Sequence, residues 1–432
     1  MPKALRPTFL PTSSLPASIA VSVAVALTLA ACQAPVATNA VTAPSTSADA
    51  PTRVSTPAVP ATFVPAADTA ALGQRWAELR REQPRLMTRD AARQLGVSEA
   101  QLLATTAGAT ATRLRDGDEA ARSMMRRVLD FGPILAVSRN EHAVIEATGV
   151  PRRNPLSDEM KKSTGDPEKD RERARRRRNF IEGYMGGPID LRFGFDRWRT
   201  AFAVVQPGRD GKISHSLQFF DEQGDATLKV FLRNDDGVAA FDRLVADFRH
   251  PQQQAAVQVA PTPAPKPEKP DAAIDVKELQ LAWSEMTDPN QFGRLVFEFG
   301  VTREQALRLA PPGTARRLAP RSSVRALLEG AAAQRIPLVI NVANRGITQM
   351  FTGRIDKVAA SGEWFNVLDP DFNLHLRDQA YARAWLVERA GVQAVEVYDD
   401  SGSLAVTFVC ERERDQPQPA AWARLVESLP QG

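Results

Sequence analysis

The sequence predicts an α+β fold that occurs twice in the chain, and three observations support this prediction. Two proline-rich segments separate two stretches of ordinary globular composition, residues 69–250 and 274–432. Each stretch starts with amphipathic helical segments, continues with strand-like segments and ends with a short helix. Blocks of the two stretches also align with each other in the same order. Helices followed by an antiparallel meander are the element order of an α+β unit, so we expect a tandem duplication.

The first 32 residues have the pattern of a bacterial lipoprotein signal. Lys3 and Arg6 precede an apolar run at residues 17–31, which is too short to span a bilayer as a mature helix. The run ends in Leu-Ala-Ala-Cys, a tetrad that resembles a lipobox in which Cys32 receives the acyl chains. Gln33 favours sorting to the outer membrane, so we expect a lipid-anchored periplasmic protein. The alternatives are a plain secretory signal, or a misassigned start codon before a cytoplasmic protein.

The proline-rich segments predict two linkers. Residues 33–68 consist mainly of Ala, Pro, Thr, Ser and Val, a composition that buries too little apolar surface to fold. We expect a disordered stalk there. Residues 251–273 contain alternating prolines and are typical of an extended, semi-rigid linker between domains.

The first block that the two units share is a helix start. Residues 96–103 match residues 300–307, and each block follows one amphipathic helix and begins another. Ser98 and Thr302 come just before the helix that each block begins. A hydroxyl at this position can accept a hydrogen bond from a free main-chain N–H of the first helical turn, so we predict that both are N-caps.

Strand-like blocks correspond as well: residues 134–140 with 338–346, residues 189–193 with 372–376, and residues 216–224 with 394–402. The last pair runs into an Asp-x-x-Gly turn in both units, as expected for a hairpin. Closing helices are predicted at 237–249 and 420–428. In this alignment Arg192 of the first unit falls opposite His375 of the second.

One charged block, residues 157–181, has no counterpart in the second unit. It mixes acidic and basic residues, contains four consecutive arginines and has almost no aromatic residues. A solvated insertion is therefore favoured over an anion-binding arm. The net charge of +4 on 432 residues is also mild, so no nucleic-acid partner is expected.

Common catalytic and metal-binding patterns are missing from the sequence. The four histidines are scattered singly, and no Cys-x-x-Cys pair or Gly-x-Ser-x-Gly elbow occurs. Only two cysteines are present, which excludes a disulfide framework, and Cys410 is expected to be buried. Arginines recur instead at strand ends and turns, where a guanidinium can bind a carboxylate through two parallel hydrogen bonds.

Several blocks together resemble the HemS/HmuS hemin-transport family, whose members are also called hemin-degrading factors. The resemblance runs in order from about residue 73 to 428. It is carried by Arg139-Asn140-Glu141-His142, Asp190-Leu191-Arg192, Met286-Thr287-Asp288, Asn344-Arg345-Gly346 and the block at residues 366–376.

The resemblance implies haem held between the halves of the protein, with arginines at the propionates or at the opposite face. The positions that match the family's haem-contacting arginines are Arg192, Arg303, Arg412 and Arg389. The resemblance also implies an iron-ligating histidine just after Met-Thr-Asp, and this position is Asn290. Neutral asparagine is a poor iron ligand, so another residue must ligate the iron if haem is ligated.

Three functions follow from this resemblance. The first is haem binding and trafficking in bacterial haem uptake, with hemin, the membrane and haem-uptake components as partners. Its iron ligand would be His142, His215, His375 or Tyr398, unless the propionates alone hold the haem. The second is a haem-degrading enzyme, which loss of the histidine at Asn290 disfavours. The third is a tethered structural or interaction module that binds no haem.

Overall fold

The computed structural model describes residues 69–432 except 85, 155–162, 172–181, 209–210, 265–266 and 414–415. The described residues belong to one compact unit, Val59–Gly432. The predicted signal with Cys32 and the predicted stalk lie outside the described residues, and so does most of the charged block 157–181. Within the described part of the chain, no helix has the length and apolar character needed to cross a bilayer.

The first repeat contains α1 (Thr69–Glu82), α2 (Thr88–Leu95), α3 (Glu99–Ala104), β1 (Ala111–Arg113), α4 (Asp118–Val128), β2 (Ile134–Arg139), β3 (Ala143–Gly149), β4 (Glu182–Tyr184), β5 (Asp190–Phe193), β6 (Trp198–Pro207), β7 (Ile213–Asp221), β8 (Ala226–Leu232) and α5 (Val238–Phe248).

The second repeat contains α6 (Val276–Ser284), α7 (Phe292–Phe299), α8 (Arg303–Arg308), β9 (Ala315–Leu318), α9 (Pro320–Ala333), β10 (Leu338–Ala343), β11 (Ile347–Gly353), β12 (Val358–Ser361), β13 (Trp364–Leu368), β14 (Phe372–Leu376), β15 (Arg383–Arg389), β16 (Val392–Tyr398), β17 (Leu404–Cys410) and α10 (Ala420–Glu427). The α+β class and the repeated element order are confirmed.

The two predicted helix caps are present in the structure. The Ser98 side chain accepts a hydrogen bond from the main-chain N–H of Gln101, whose own side chain bonds back to the N–H of Ser98. Thr302 accepts from the N–H of Gln305 at 3.0 Å. Both helix starts follow a glycine in the left-handed conformation, with φ of 70° at Gly96 and 59° at Gly300, which ends the preceding helix.

The repeats exchange strands, which the sequence comparison did not predict. A nine-stranded sheet has the order β1-β6-β7-β8-β2-β3-β14-β13-β12, and an eight-stranded sheet has the order β4-β5-β11-β10-β17-β16-β15-β9. Strands β12–β14 of the second repeat therefore complete the sheet of the first, and β4–β5 of the first complete the sheet of the second. The boundary near residue 260 separates two repeats in sequence without separating two sheets.

The sheet register confirms the equivalence of Arg192 and His375. Arg192 pairs with Thr348 of β11, and His375 pairs with Val144 of β3. Thr348 stands four residues after Asn344, and Val144 stands four residues after Asn140. These two asparagines occupy equivalent corners between paired strands, β10–β11 and β2–β3.

These corner asparagines join the two sheets reciprocally. Asn140 Nδ2 donates to the carbonyl oxygen of Ala343 at 3.1 Å, and Asn344 Nδ2 donates to the carbonyl oxygen of Arg139 at 3.1 Å. Each asparagine also accepts, through Oδ1, hydrogen bonds from two main-chain N–H groups of its own corner. The repeats are thus related by an approximate two-fold arrangement at this junction.

The apolar cores lie on the inner faces of the sheets. One core joins α9 and α10 to the eight-stranded sheet and to β13 and β14. Another joins α4 and α5 to the nine-stranded sheet and to β5. Cys410 belongs to the first of these cores and is 1% exposed, as expected, and burial raises the pKa of its thiol to about 11.

Candidate functional site

The outer face of the eight-stranded sheet carries two of the four candidate arginines, Arg389 on β15 and Arg192 on β5. Cross-strand pairing places five side chains in one row on this face: Glu396, Thr407, Asn341, Met350 and Asp190. Helices α6–α8 pack over the β15–β16 end of the row through an apolar cluster. The rest of the row, from Thr407 to Asp190, is only half-buried.

A buried carboxylate organises the helix-covered end of this face. Glu396 is fully buried, and its Oε1 accepts hydrogen bonds from Arg303 Nη2 and Arg389 Nη1, both at 2.7 Å. Tyr398 donates its hydroxyl to Oε2 at 2.5 Å. Burial alone would raise the pKa of Glu396, but Arg389 and Arg303 outweigh it and lower the pKa to about 2. Because the Tyr398 hydroxyl is committed to Glu396 and burial raises its pKa, it is unsuited to ligate iron as a phenolate.

The two arginines of this cluster keep unused hydrogen-bonding capacity. The Arg389 guanidinium lies 3.7 Å from the ring centroid of Phe292 and 5.4 Å from that of Trp283. Its Nε and Nη2, and the Nε of Arg303, are buried without a hydrogen-bond partner. Three buried N–H donors therefore surround the Phe292 ring, an environment suited to an aromatic ligand with negative charge.

Arg192 lies at the far end of the same face. It forms an ion pair with Asp190 on its own strand and donates from Nη1 to the carbonyl oxygen of Tyr184 at 3.4 Å. Burial raises the pKa of Asp190, against the opposing effect of Arg192. Four strand spacings, about 19 Å, separate Asp190 from Glu396 along the row. Arg192 and the Glu396 cluster thus flank a half-buried stretch of the sheet.

Asn290 lies in the turn just before α7, on the exposed surface. Its main-chain N–H and its Nδ2 both donate to Oδ1 of Asp288 at 2.8 Å. Gly293 and Phe297 follow at helical spacing on the same side of α7. Apart from its chain neighbours and the backbone of α7 itself, no atom of the described residues lies within 4 Å of the point where a Cβ on Gly293 would sit, and Phe297 is 85% exposed. This side of α7 is open and carries a large aromatic ring.

Arg412 does not join the Glu396 cluster. It follows β17, and its Nη1 donates to the carbonyl oxygen of Gln416 at 2.8 Å, which holds the side chain to its own loop.

Two of the three candidate histidines are engaged in structural contacts. His142 lies at the corner between β2 and β3, where its Nε2 is 3.3 Å from Oδ2 of Asp399, while its Nδ1 is buried without a partner. Burial opposes ionisation of Asp399, but hydrogen bonds from His142 and Ser401 lower its pKa below the ordinary value. His215 of β7 packs edge-on against Phe241 of α5, with 5.4 Å between the ring centroids, on the inner face of the nine-stranded sheet.

His375 lies on the outer face of the nine-stranded sheet, the counterpart of the face that carries Arg192. Its Nδ1 is 2.8 Å from Oδ1 of Asn366, and Asn366 Nδ2 donates to the carbonyl oxygens of Ala359 and Trp364. Because Asn366 Nδ2 donates to these two carbonyl oxygens, it is Asn366 Oδ1 that faces the imidazole of His375. His375 therefore donates from Nδ1, and Nε2 keeps its lone pair.

One cavity lies at the edge between α4 and the β4–β5 hairpin. It is a small, partly open cavity of about 40 Å³, lined by arginines and by apolar and aromatic side chains: Arg122, Arg126, Arg153, Tyr184, Phe193 and Phe195 among them. Arg122 covers the Phe195 ring at 4.7 Å and forms an ion pair with Glu182 at 2.8 Å. The sequence analysis did not single out these residues.

Neither Glu396 nor Asn366 was identified from the sequence. Each is a polar residue on a strand whose neighbours are mostly apolar, and the alternation of a strand does not show which polar residue is buried. Arg139 was quoted only as part of a motif. In the structure its outward side chain makes no ion pair within the described part of the chain, and burial lowers its pKa to about 10. The one sequence signal for these residues was a polar side chain within an otherwise apolar strand.

Comparisons with known proteins match this chain over most of its length. Residues 300–429 match the family model described as the haemin-degrading HemS.ChuX domain, and residues 113–244 match the one described as haem utilisation ChuX/HutX. The hemin transport protein HmuS of Yersinia pestis is 30% identical over 366 residues, which cover 83% of this chain and 97% of that protein. The hemin transport protein HemS of Yersinia enterocolitica is 29% identical over 362 residues, 82% of this chain and 96% of that protein.

Two solved structures share the whole fold. Holo-PhuS, a heme-binding protein from Pseudomonas aeruginosa, is 33% identical with a TM-score of 0.74, covering 84% of this chain and 99% of that chain. The heme degrading enzyme ChuS of Escherichia coli O157:H7 is 26% identical with a TM-score of 0.71, covering 84% of this chain and 99% of that chain.

Proposed function

Because the chain belongs to the HemS/HmuS hemin-transport family, we propose that it binds haem as cargo in bacterial haem uptake and utilisation. The observation that carries the proposal is the open side of α7. Phe297 presents an exposed ring there and Gly293 leaves space beside it, while Arg303 of α8 and Arg389 of β15 meet at Glu396 between the helices and the sheet. A flat apolar ring with two carboxylates matches this combination of exposed aromatic surface and cationic groups.

Haem binding is tested by titrating the full chain with hemin and following the Soret band. We expect a saturable shift. Phe297→Ala removes the exposed ring and is expected to weaken hemin binding about fivefold to tenfold. Ile213→Ala is the matched control, since Ile213 is another exposed apolar side chain, 56% exposed, on β7. Absence of any Soret shift would leave a structural or interaction module on the same scaffold as the remaining function.

A carrier is favoured over a haem-degrading enzyme because Asn290 supplies no iron ligand beside α7. Oxidative ring opening requires bound iron that can be reduced and can activate oxygen. Adding a reductant and oxygen to the hemin complex distinguishes the two functions. A carrier keeps its Soret band, whereas an enzyme loses it as the ring opens.

We also propose that the protein is lipid-anchored through Cys32 and faces the periplasm, with haem-uptake components as partners. The support is the sequence of the first 32 residues, in which a basic start and an apolar run end in a lipobox-like tetrad. Globomycin should block processing of the natural chain, and Cys32→Ala should abolish acylation. Unprocessed protein recovered from the cytoplasm would support the alternative of a misassigned start codon.

A further inference from the structure

Two groups on the outer face of the nine-stranded sheet, Arg139 and His375, lie in one cross-strand row. Arg139 on β2 pairs with Val144 on β3, Val144 pairs with His375 on β14, and His375 pairs with Asn366 on β13. Arg139 and His375 are therefore two strand spacings apart, about 10 Å, on the same side of the sheet. Val144 lies between them and provides an apolar floor.

His375 is oriented as an imidazole that can ligate a metal. The Asn366 oxygen fixes the tautomer, so that Nδ1 carries the proton and Nε2 carries the lone pair. A hydrogen bond from the second ring nitrogen to a fixed acceptor is the usual support of a ligating histidine. Burial lowers the pKa of His375, with Glu146 opposing. Within the described residues, Nε2 has no hydrogen-bond partner, and it is not completely buried.

Arg139 supplies a cation that no carboxylate within the described part of the chain neutralises directly. Its Nε makes a 3.4 Å hydrogen bond to the carbonyl oxygen of Asn140, and the neighbouring Glu141 forms ion pairs with Arg89 and Arg93 instead. A partly buried guanidinium without a carboxylate partner is a site for an external anion.

The sheet surface on the side of His375 away from Arg139 also suits a flat aromatic ligand. Trp364 and Arg377 extend the β13–β14 pairing by one position beyond Phe365 and Leu376, and the Arg377 guanidinium lies 4.9 Å from the Trp364 ring centroid. Within the described residues, no group of three or more His, Cys, Asp or Glu side chains could hold a bare metal ion. A lone histidine supplies one ligand, and a porphyrin brings the four others that its iron requires, so iron carried in a porphyrin suits this site.

We infer that the outer face of the nine-stranded sheet is a second haem site, in which Nε2 of His375 ligates the iron and Arg139 binds a propionate. This inference rests on the proposed haem-binding function and adds a site that is separate from α7. The porphyrin lies flat on the sheet, with the iron above His375 and one edge toward Arg139. By the two-fold relation of the repeats, His375 occupies the position that Arg192 holds in the other sheet.

The test compares hemin with iron-free protoporphyrin IX, using the full chain. We expect two hemins per chain. His375→Ala should weaken the second hemin by at least about tenfold and remove the signature of histidine-ligated iron in the electron paramagnetic resonance spectrum. The same variant should bind protoporphyrin IX unchanged. Arg139→Ala should weaken both ligands, because a propionate is present on each.

His250→Ala is the matched control, since His250 is a half-buried histidine whose Nδ1 bonds within its own loop to Gln252, and this variant should bind two hemins like the natural chain. Imidazole added to His375→Gly should restore the lost spectrum, which a mere folding defect would not allow. If His375→Ala keeps the stoichiometry and spectrum of the natural chain, the inference is overturned while the proposed function stands. If the natural chain binds no hemin, both fall. If Phe297→Ala is without effect but His375→Ala abolishes binding, only the α7 site is wrong.

Discussion

Glu396 is the residue on which the arginine cluster depends. It is fully buried and accepts hydrogen bonds from two arginines and a tyrosine, so its replacement leaves buried guanidinium groups without a counter-charge. We expect Glu396→Gln to lower the free energy of unfolding at pH 7 by about 3–5 kcal/mol. The folded-state pKa of Glu396 is about 2, below that of an unfolded glutamate. Its stabilising contribution is therefore complete above about pH 4.3 and is lost as the pH falls towards 2.

Urea unfolding at a series of pH values between 7 and 2 would measure both effects. The natural chain should lose stability over the acid range more steeply than Glu396→Gln, which cannot titrate at this position. Glu388→Gln, a change at an exposed glutamate on the neighbouring strand, is the control and should alter stability by less than about 0.5 kcal/mol. Equal acid slopes for the natural chain and Glu396→Gln would contradict the lowered pKa.

Asn290 is the residue at which the chain departs from the family's iron ligand. It is exposed, and among the described residues its side chain bonds only to Asp288, so an imidazole can be introduced without disturbing the core. We expect Asn290→His to place an iron ligand beside the open side of α7 and to tighten hemin binding there about tenfold. The Soret position and hemin titration measure the change. Asn290→Ala should leave both unaltered, and an Asn290→His protein that also matches the natural chain would refute the placement of haem against α7.

Arginine positions could be inferred from the sequence, but their partners could not. Arg303 and Arg389 were identified by resemblance, and the structure brings them together. The carboxylate that joins them lies 93 residues from Arg303, on a strand whose alternation gives no sign of a buried charge. In the same way the ligand-like orientation of His375 depends on Asn366 of the adjacent strand, which opens the block at residues 366–376 but was given no role from the sequence.

At the scale of elements, the two corner asparagines hold the repeats together. The side chain of Asn140 makes four hydrogen bonds, two within its own corner and two to carbonyl oxygens of the second repeat, Ala343 and Ala405. Asn140→Ala should lower the free energy of unfolding by about 2 kcal/mol, because buried main-chain groups of both repeats lose their partner. Chemical denaturation measures this loss. Asn234→Ala, at an exposed asparagine after β8, should change stability by less than about 0.5 kcal/mol, and a similar cost for both variants would contradict the joining role.

The sequence comparison identified the repeated elements but not their exchange between sheets. The blocks at 189–193 and 372–376 align correctly as β5 and β14, since both keep the alternation of a strand with one buried face. Alternation indicates that a strand has one apolar face and does not indicate which repeat covers it. The pairing of β14 with β3, and of β5 with β11, is determined by the corners and by packing between the repeats, which leave no local pattern.

At the scale of the whole molecule, the segment expected to be an extended linker is docked along both repeats. Gln253 accepts from the N–H of Arg113 at 2.9 Å, and the N–H of Ala260 donates to the carbonyl oxygen of Glu222 at 2.6 Å. Further on, Gln305 donates to the carbonyl oxygen of Lys269 at 2.7 Å. The linker thus adds contacts to repeats that the exchanged strands already hold together.

Strand exchange predicts that cutting the chain between the repeats will not separate them. A protease site inserted at residues 262–263, which are exposed and lie outside every strand, divides the chain without breaking a strand pairing. Each fragment keeps strands that the other fragment's sheet requires: β4–β5 on one side and β12–β14 on the other. We expect the cleaved protein and the uncut chain alike to elute as one species in size-exclusion chromatography and to unfold in a single transition. Fragments that elute separately under native conditions, while each remains folded, would show that the exchanged strands contribute little to the association of the repeats.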